Sequence, residues 1–293
     1  MTELRRFKQV DVFTDTPLCG NPLAVVIDAD GLSEPQMQAI ARWTNLSETT
    51  FVLPPTDPGA DYQLRIFSPG GELPFAGHPT LGTAHAMLET GFRPKNADRL
   101  IQQCGVGNVA ISLARKGWLA FHAPAAEIVA VNESYYPLLA QAVGKSTAFG
   151  FCPPVVVDMG IRWLLVRVDS VEACLTAMPD RDSLASLLTR CEANGLTLYS
   201  RHRPTGPADY EIRAFVVENG QLVEDPVTGS ANACLARLLQ AQGFPDDPVF
   251  AGSYQVRQGT ALKRHGRISL EFINGEPWIG GQSVTLIDGH LHL

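Results

Sequence analysis

The sequence predicts an α/β (α+β) protein built from two similar lobes, and a duplicated motif is the main reason. Residues 62–68 read YQLRIFS and residues 210–216 read YEIRAFV, with their Tyr, Arg and Phe at one offset (210 − 62 = 148). An apolar helical segment follows each copy, at 75–91 and 227–243, with a new common offset (229 − 77 = 152). Because a duplicated α/β unit folds into similar structures, we expect two pseudo-symmetric lobes. Strand patterns outnumber helix patterns and several form hairpins, which favours mixed or mostly antiparallel sheets.

Alternating and short apolar runs predict the strands of the first lobe. A helix is expected at 34–43, because Met37, Ile40 and Ala41 recur at helical spacing. The breaker-rich segment PPTDPGA separates two apolar runs, which is typical of a hairpin. The predicted strands are 7–13, 22–28, 49–53, 61–67, 99–103, 107–114 and 118–122.

The second half repeats this order. A helix is predicted at 179–193, and RHRPTGPA is the second hairpin signal. We place the lobes at 1–130, completed by a C-terminal strand at about 280–293, and at 131–279. The predicted strands are 155–159, 162–168, 196–200, 209–217, 253–257, 267–273 and 283–293.

Composition narrows the classes of protein. A chain of 293 residues is long enough for two domains that each bury a core. The net charge of −7 argues against nucleic acids and anionic membranes as partners. The six cysteines are scattered without a CxxC pair, which favours reduced thiols in the cytoplasm over disulfides or a zinc site. We see no transmembrane run and no signal-peptide pattern.

Both apolar helices carry signals at their ends. Pro79 favours His78 as the N-cap of a helix at 79–90, since proline is preferred at the first helical position. Ser230 is the expected N-cap of a helix at 231–242. The glycines expected just past the two helix ends are Gly91 and Gly243.

Few charges flank either helix start, so both starts are expected to be buried. Buried helix N-termini have free N–H groups and a positive dipole end, which suits them to binding an anion. The alternative is that both are capped core helices with no ligand.

Three side chains are candidates for acid–base chemistry, each with a structural alternative. Glu48 precedes a hairpin strand and could project towards a cleft, or it could be a solvated carboxylate. Asp225 could act near the second helix start, or its Asp-Pro could merely initiate a turn. His78 could bind substrate or only cap its helix.

Three further residues have structural interpretations. Arg65 and Arg213 are expected to be outward-facing strand charges, and Cys234 a core residue of its helix.

Several cofactor and metal motifs are missing from the chain. It has no GxGxxG after a first strand, no Walker loop, no HExxH and no GxSxG. We therefore expect no metal and no cofactor. A carboxylate beside helix N-termini is suited to moving a proton at a carbon next to a carboxylate or an enol.

Four stretches resemble the phenazine-biosynthesis PhzF-like family, within the diaminopimelate epimerase-like fold. They are VDVFTDTPLCGNPLAVV (10–26), NLSETTFV (45–52), RIFSPGGELPFAGHPTLGTA (65–84) and VEDPVTGSA (223–231). The resemblance implies two lobes, each a mixed, barrel-like sheet around a central helix, with the site between the lobes. It also implies no cofactor, a small anionic metabolite as ligand and a possible homodimer.

The resemblance also implies roles for individual residues. Glu48 resembles the family's proton-shuttling acid/base, with His78 and Asp225 as its polar partners. The residues that resemble the substrate-binding positions at the two helix starts are Gly77, Thr228, Gly229 and Ser230.

Related amino-acid epimerases of this fold use two opposed cysteines, one at each helix start. Neither helix-start loop of this chain contains cysteine, so a two-thiol racemase is not expected. Three functions remain open: an isomerase that moves a proton on a small carboxylated substrate, an epimerase with carboxylates in place of thiols, and a small-molecule-binding protein without turnover.

Overall fold

The computed structural model describes residues 3–115, 117–144, 152–247 and 250–293. The chain divides into two compact units. Unit 1 comprises Met1–His122 with Ile279–Leu293, and unit 2 comprises Ala123–Trp278. Among the described residues, no helix combines the length and apolar character that crossing a membrane requires.

In its described residues, unit 1 has one long buried helix, one amphipathic helix and nine strands. Its helices are α1 (Glu34–Thr44) and α2 (Gly77–Glu89). Its strands are β1 (Leu4–Val12), β2 (Asn21–Val26), β3 (Thr49–Leu53), β4 (Tyr62–Ser68), β5 (Gly71–Leu73), β6 (Arg99–Cys104), β7 (Gly107–Arg115), β8 (Trp118–His122) and, from the C-terminus, β18 (Ser283–His292).

Unit 2 repeats this pattern and contains additional helices. Its helices are α3 (Tyr136–Val143), α4 (Val171–Thr176), α5 (Arg181–Cys191) and α6 (Gly229–Ala241). Its strands are β9 (Glu127–Ala130), β10 (Val155–Asp158), β11 (Arg162–Arg167), β12 (Gly195–Arg201), β13 (Tyr210–Glu218), β14 (Gln221–Asp225), β15 (Ser253–Gln258), β16 (Gly266–Ile273) and β17 (Glu276–Gly281), which ends in unit 1.

Strand pairing follows the same order in both units. In unit 1, β18–β1, β1–β2, β3–β4, β4–β5 and β6–β7 are antiparallel, whereas β2–β3 and β4–β6 are parallel. In unit 2, β9–β10, β10–β11, β12–β13, β13–β14 and β15–β16 are antiparallel, whereas β11–β12 and β13–β15 are parallel. The offset repeat in the sequence is therefore a repeat of strand pairing.

The long helix of each unit is a core element. Ten of the thirteen residues of α2 are buried, and α2 contacts β1, β2, β3, β8 and β18. Nine of the thirteen residues of α6 are buried, and α6 contacts β10, β11 and β16. A helix that is apolar on all sides is stable only when it is enclosed in this way.

The predicted fold class is confirmed: a mixed α/β (α+β) fold in two units, each with a mixed sheet and a buried central helix. The predicted hairpins exist as β3–β4 and β12–β13. The sequence-based prediction missed short elements, whose few residues show no clear period. These are β5, β9, β14, β17, α3 and α4.

Candidate active site

The loop between α1 and β3 brings Glu48 to its position. Asn45 follows α1 in the left-handed conformation (φ 53°), which turns the chain out of the helix. The hydroxyls of Thr44 and Thr49 lie 2.7 Å apart and close this turn across Glu48. One residue into β3, Thr50 accepts a hydrogen bond of 2.9 Å from Thr83 of α2, which ties the strand to the helix.

Glu48 and His78 form a buried pair in unit 1. Oε2 of Glu48 lies 3.0 Å from Nδ1 of His78, and their side chains are only 17% and 5% exposed. The solvated-carboxylate alternative for Glu48 is therefore wrong. Within the described part of the chain, Oε2 of Glu48 and Nε2 of His78 are buried without a hydrogen bond. Buried polar atoms without partners are costly and mark sites that a ligand can complete.

Helix α2 begins two residues earlier than predicted. The N-cap is Ala76, so His78 lies inside the helix and Pro79 takes the third helical position. The first-turn N–H groups have no intrahelical acceptor, and therefore proline is tolerated at that position too. Gly77 is required by packing, since a Cβ there would lie 2.4 Å from Cζ of Phe121.

In unit 2, a buried glutamine organises the residues around Asp225. Nε2 of Gln258 donates to the Asp225 carbonyl (3.1 Å) and to Oγ1 of Thr228 (2.9 Å). Its Oε1 accepts from the Thr228 amide (3.0 Å) and from Nδ2 of Asn232 (3.1 Å). Thr228 donates in turn to the Asp225 carboxylate. Sequence reasoning missed Gln258 and Asn232, because neither belongs to a motif that signals this contact.

Asp225 is the last residue of β14, and its carboxylate is engaged by Thr228 across the turn. The start of α6 also differs from the prediction: Thr228 is the N-cap, and Ser230 lies inside the helix. The hydroxyl of Ser230 accepts a hydrogen bond of 3.0 Å from Nε1 of Trp163 instead of capping the helix. The glycines past the two helix ends are as predicted, with φ of 84° at Gly91 and 68° at Gly243.

Paired charges fix the hairpins that lead into the two helix starts. Arg65 donates to Glu72 from Nε (2.7 Å) and Nη2 (2.5 Å), and Arg213 donates to Glu224 from the same atoms (2.9 and 2.8 Å). Arg213 is 7% exposed, so the prediction of an outward charge is wrong for this residue. A guanidinium that donates two parallel hydrogen bonds to one carboxylate holds both side chains in one orientation. Glu224 directly precedes Asp225, and its pair with Arg213 fixes that end of β14.

The cysteine of α6 is a core residue. Cys234 is fully buried as predicted, and this burial raises the pKa of its thiol. No group of three or more His, Cys, Asp or Glu side chains in the described ranges is placed to hold a metal ion. The structure brings together Glu48 with His78, and Asp225 with Thr228. That all of these residues act at one site stays a prediction.

Comparisons with known proteins identify the family of this chain. The family model described as "Phenazine biosynthesis-like protein" (PhzC-PhzF) matches residues 10–289. Trans-2,3-dihydro-3-hydroxyanthranilate isomerase from Pseudomonas chlororaphis is 37% identical over 91% of this chain and 89% of its own. Antisense-enhancing sequence 1 from Schizosaccharomyces pombe is 36% identical over 99% of both chains.

A solved structure supports the same conclusion for the fold. The Bacillus anthracis phenazine biosynthesis protein of the PhzF family has a TM-score of 0.85 at 24% identity, covering 99% of this chain and 100% of that one. With the family model matching nearly the whole chain and relatives above 30% identity named as isomerases, the protein is an isomerase that belongs to the phenazine biosynthesis-like (PhzC-PhzF) family.

Proposed function

We propose that this protein is a cofactor-independent isomerase that moves a proton on a small carboxylated metabolite, with Glu48 as the acid/base. The observation that carries the proposal is the buried Glu48–His78 pair, in which Oε2 of Glu48 has no hydrogen bond in the described ranges. A carboxylate with a free oxygen can accept a proton from one carbon of a substrate and return it to another.

The proposed step uses three features of unit 1. Glu48 takes the proton and becomes a neutral carboxylic acid. The negative charge passes to the substrate, which becomes an enolate or an extended anion. The free N–H groups at the start of α2, including those of Gly77 and His78, favour that charge. Nδ1 of His78 lies 3.0 Å from Oε2 and encloses the carboxylate on that side.

We assign substrate binding to unit 2. Thr228, Gly229 and Ser230 form the start of α6, where backbone N–H groups favour a carboxylate. Asp225 is the second polar partner, held by Thr228 and by the strand β14.

The name of the Pseudomonas chlororaphis relative gives the first substrate to try. Trans-2,3-dihydro-3-hydroxyanthranilate carries a carboxylate, as the proposal requires, and the identity of 37% covers 91% of this chain. The name supports the reaction type, an isomerisation. Homodimer formation and a cytoplasmic location also remain our proposals.

The experiment is Glu48→Gln with trans-2,3-dihydro-3-hydroxyanthranilate as substrate. Glutamine keeps the shape of the side chain but cannot carry a proton, so we expect kcat to fall by about 10²–10⁴-fold while binding survives. Glu34→Gln is the control, since Glu34 is a 67% exposed carboxylate of the same unit. Turnover by Glu48→Gln near the wild-type rate would show that Glu48 is not the acid/base.

Two further measurements separate the alternatives. An epimerase with two bases incorporates solvent deuterium at the inverted carbon, whereas one shuttling carboxylate can return the original proton. A binding protein without turnover would be unaffected by Glu48→Gln. Activity should also survive chelation, and loss on chelation that one metal restores would contradict the cofactor-independent step.

A further inference from the structure

The duplicated fold allows positions of the two units to be matched residue by residue. In unit 1, the hairpin pairs Thr49 of β3 with Phe67 of β4. In unit 2, the hairpin pairs Leu196 of β12 with Phe215 of β13. Phe67 and Phe215 are equivalent residues of the repeated motif (215 − 67 = 148). Thr49 and Leu196 are therefore equivalent as well.

The residues before these two strand positions are then equivalent, and they differ in chemistry. Glu48 stands there in unit 1 and Gly195 in unit 2. On the long helices, His78 of unit 1 corresponds to Ser230 of unit 2 (230 − 78 = 152). The Glu48–His78 pair thus has Gly195 and Ser230 as its counterparts, and the carboxylate has no counterpart at this position.

An indole ring fills the space beside Gly195. Trp163 lies next to Gly195 in the parallel pair β11–β12 and is 3% exposed. A Cβ on Gly195 would lie 2.4 Å from Cζ3 of Trp163 and 2.8 Å from the Phe215 carbonyl oxygen. Separations this short are not tolerated in packed protein. Glycine is therefore required at 195, and Trp163 occupies the room that a side chain would take.

The same indole sets the direction of the Ser230 hydroxyl. Nε1 of Trp163 donates to Oγ of Ser230 at 3.0 Å. A serine hydroxyl has one hydrogen to donate and can accept at its lone pairs, whereas an indole N–H only donates. With a lone pair engaged by Trp163, the hydrogen of Ser230 has no acceptor among the residues that the structure describes. Ser230 is the second residue of α6, where the helix dipole favours a negatively charged ligand.

We infer that Trp163 is a positioning residue that holds the Ser230 hydroxyl as a hydrogen-bond donor to the carboxylate of the substrate. The inference rests on the proposed function, because it assigns the anion-binding part of that reaction to unit 2. At the position equivalent to Glu48, unit 2 thus presents an indole N–H and a serine in place of a carboxylate and a histidine. The duplicated position has changed from an acid/base to a binding position.

A double-mutant cycle tests this, with anthranilate as the binding probe for a carboxylate. Trp163→Phe keeps an aromatic ring but removes the N–H, and Ser230→Ala removes the hydroxyl. Each should weaken anthranilate binding by about 10- to 100-fold, as expected for losing or misdirecting one hydrogen bond to a charged group. If Trp163 acts through Ser230, the double variant should bind no more weakly than Ser230→Ala alone.

A second readout does not depend on how tightly the phenylalanine variant binds anthranilate. Ser230→Ala should shift the indole ¹⁵N–¹H resonance of Trp163, which is identified by its loss in Trp163→Phe. Anthranilate should shift the same resonance in the wild-type protein. Trp43→Phe is the matched control, because Trp43 is 78% exposed and should leave binding unchanged.

The inference is overturned if Trp163→Phe binds anthranilate as tightly as wild type, or if the losses of affinity add in the double variant. It is also overturned if neither Ser230→Ala nor anthranilate shifts the indole resonance of Trp163. Failure of wild-type protein to bind anthranilate also counts against it. Glu48→Gln separates the two proposals. It should abolish turnover but leave the effects of Trp163→Phe and Ser230→Ala on anthranilate binding unchanged. If Glu48→Gln stays active, the proposed function fails while the cycle still decides the role of Trp163.

Discussion

Gln258→Leu should destabilise unit 2 and displace Asp225 and Thr228. The side chain of Gln258 is fully buried and makes four hydrogen bonds, two as donor and two as acceptor, at 2.9–3.1 Å. Leucine fills a similar volume but leaves the Thr228 amide, the Asn232 amide and the Asp225 carbonyl without this partner. Each buried polar group left unsatisfied costs about 1–3 kcal/mol, and partial rearrangement reduces the sum, so we expect a loss of about 3–5 kcal/mol.

The assay is urea unfolding, followed by anthranilate binding under conditions where the variant remains folded. Gln102→Leu is the matched control in unit 1. Gln102 is equally buried, but it makes two side-chain hydrogen bonds, to Thr80 (3.0 Å) and from Tyr62 (3.1 Å). We therefore expect Gln102→Leu to lose about half as much stability. A loss below about 1 kcal/mol for Gln258→Leu, or a larger loss for Gln102→Leu, would refute the reasoning.

Three other predictions concern packing, pH and thiol reactivity. Gly195→Ala should lower the free energy of unfolding by about 1–3 kcal/mol in a melting experiment, because its Cβ overlaps the ring of Trp163; unchanged stability would contradict the packing. Burial opposes ionisation of Glu89, but hydrogen bonds from Thr285 and a lysine outweigh it and lower the pKa of its carboxyl. Because the pKa of Glu89 is lower in the folded than in the unfolded protein, ionised Glu89 stabilises the fold at pH values above the unfolded pKa of about 4.3. This stabilisation is lost as the pH falls through the folded pKa. The stability difference between wild type and Glu89→Gln should therefore shrink in acid. Cys234 should resist iodoacetamide at pH 8 until the protein unfolds, since burial raises the pKa of its thiol; rapid labelling of the native protein would contradict this.

The strands were predictable because their signals are local. Thr49–Leu53 was predicted with its observed bounds, since an apolar run lies between breaker residues. Both helix starts were placed two residues late, because Pro79 was assigned to the first helical position but occupies the third, and Ser230 was assigned as an N-cap but is the second residue of its helix. All positions of the first turn lack an intrahelical acceptor for their N–H groups, so the proline alone does not fix the start.

The candidate site was predictable only where a motif carried it. Glu48 and His78 were identified by resemblance, and the structure places their side chains 3.0 Å apart. Gln258 and Trp163 carry no motif. Their contacts join residues 30 and 67 positions apart, and they depend on strand pairing that local patterns do not reveal. The outward assignment of Arg213 was wrong for the same reason, since its partner Glu224 lies on a short strand that has no clear sequence signal.

The central claim is that Glu48 moves the proton. Its most direct test is the single-turnover rate at which deuterium leaves a labelled carbon of trans-2,3-dihydro-3-hydroxyanthranilate, measured for wild type and Glu48→Gln at saturating protein. Proton transfer by Glu48 predicts a rate at least about 100-fold lower in Glu48→Gln, with bound substrate recovered unchanged. A Glu48→Gln rate within a few-fold of wild type would contradict the claim.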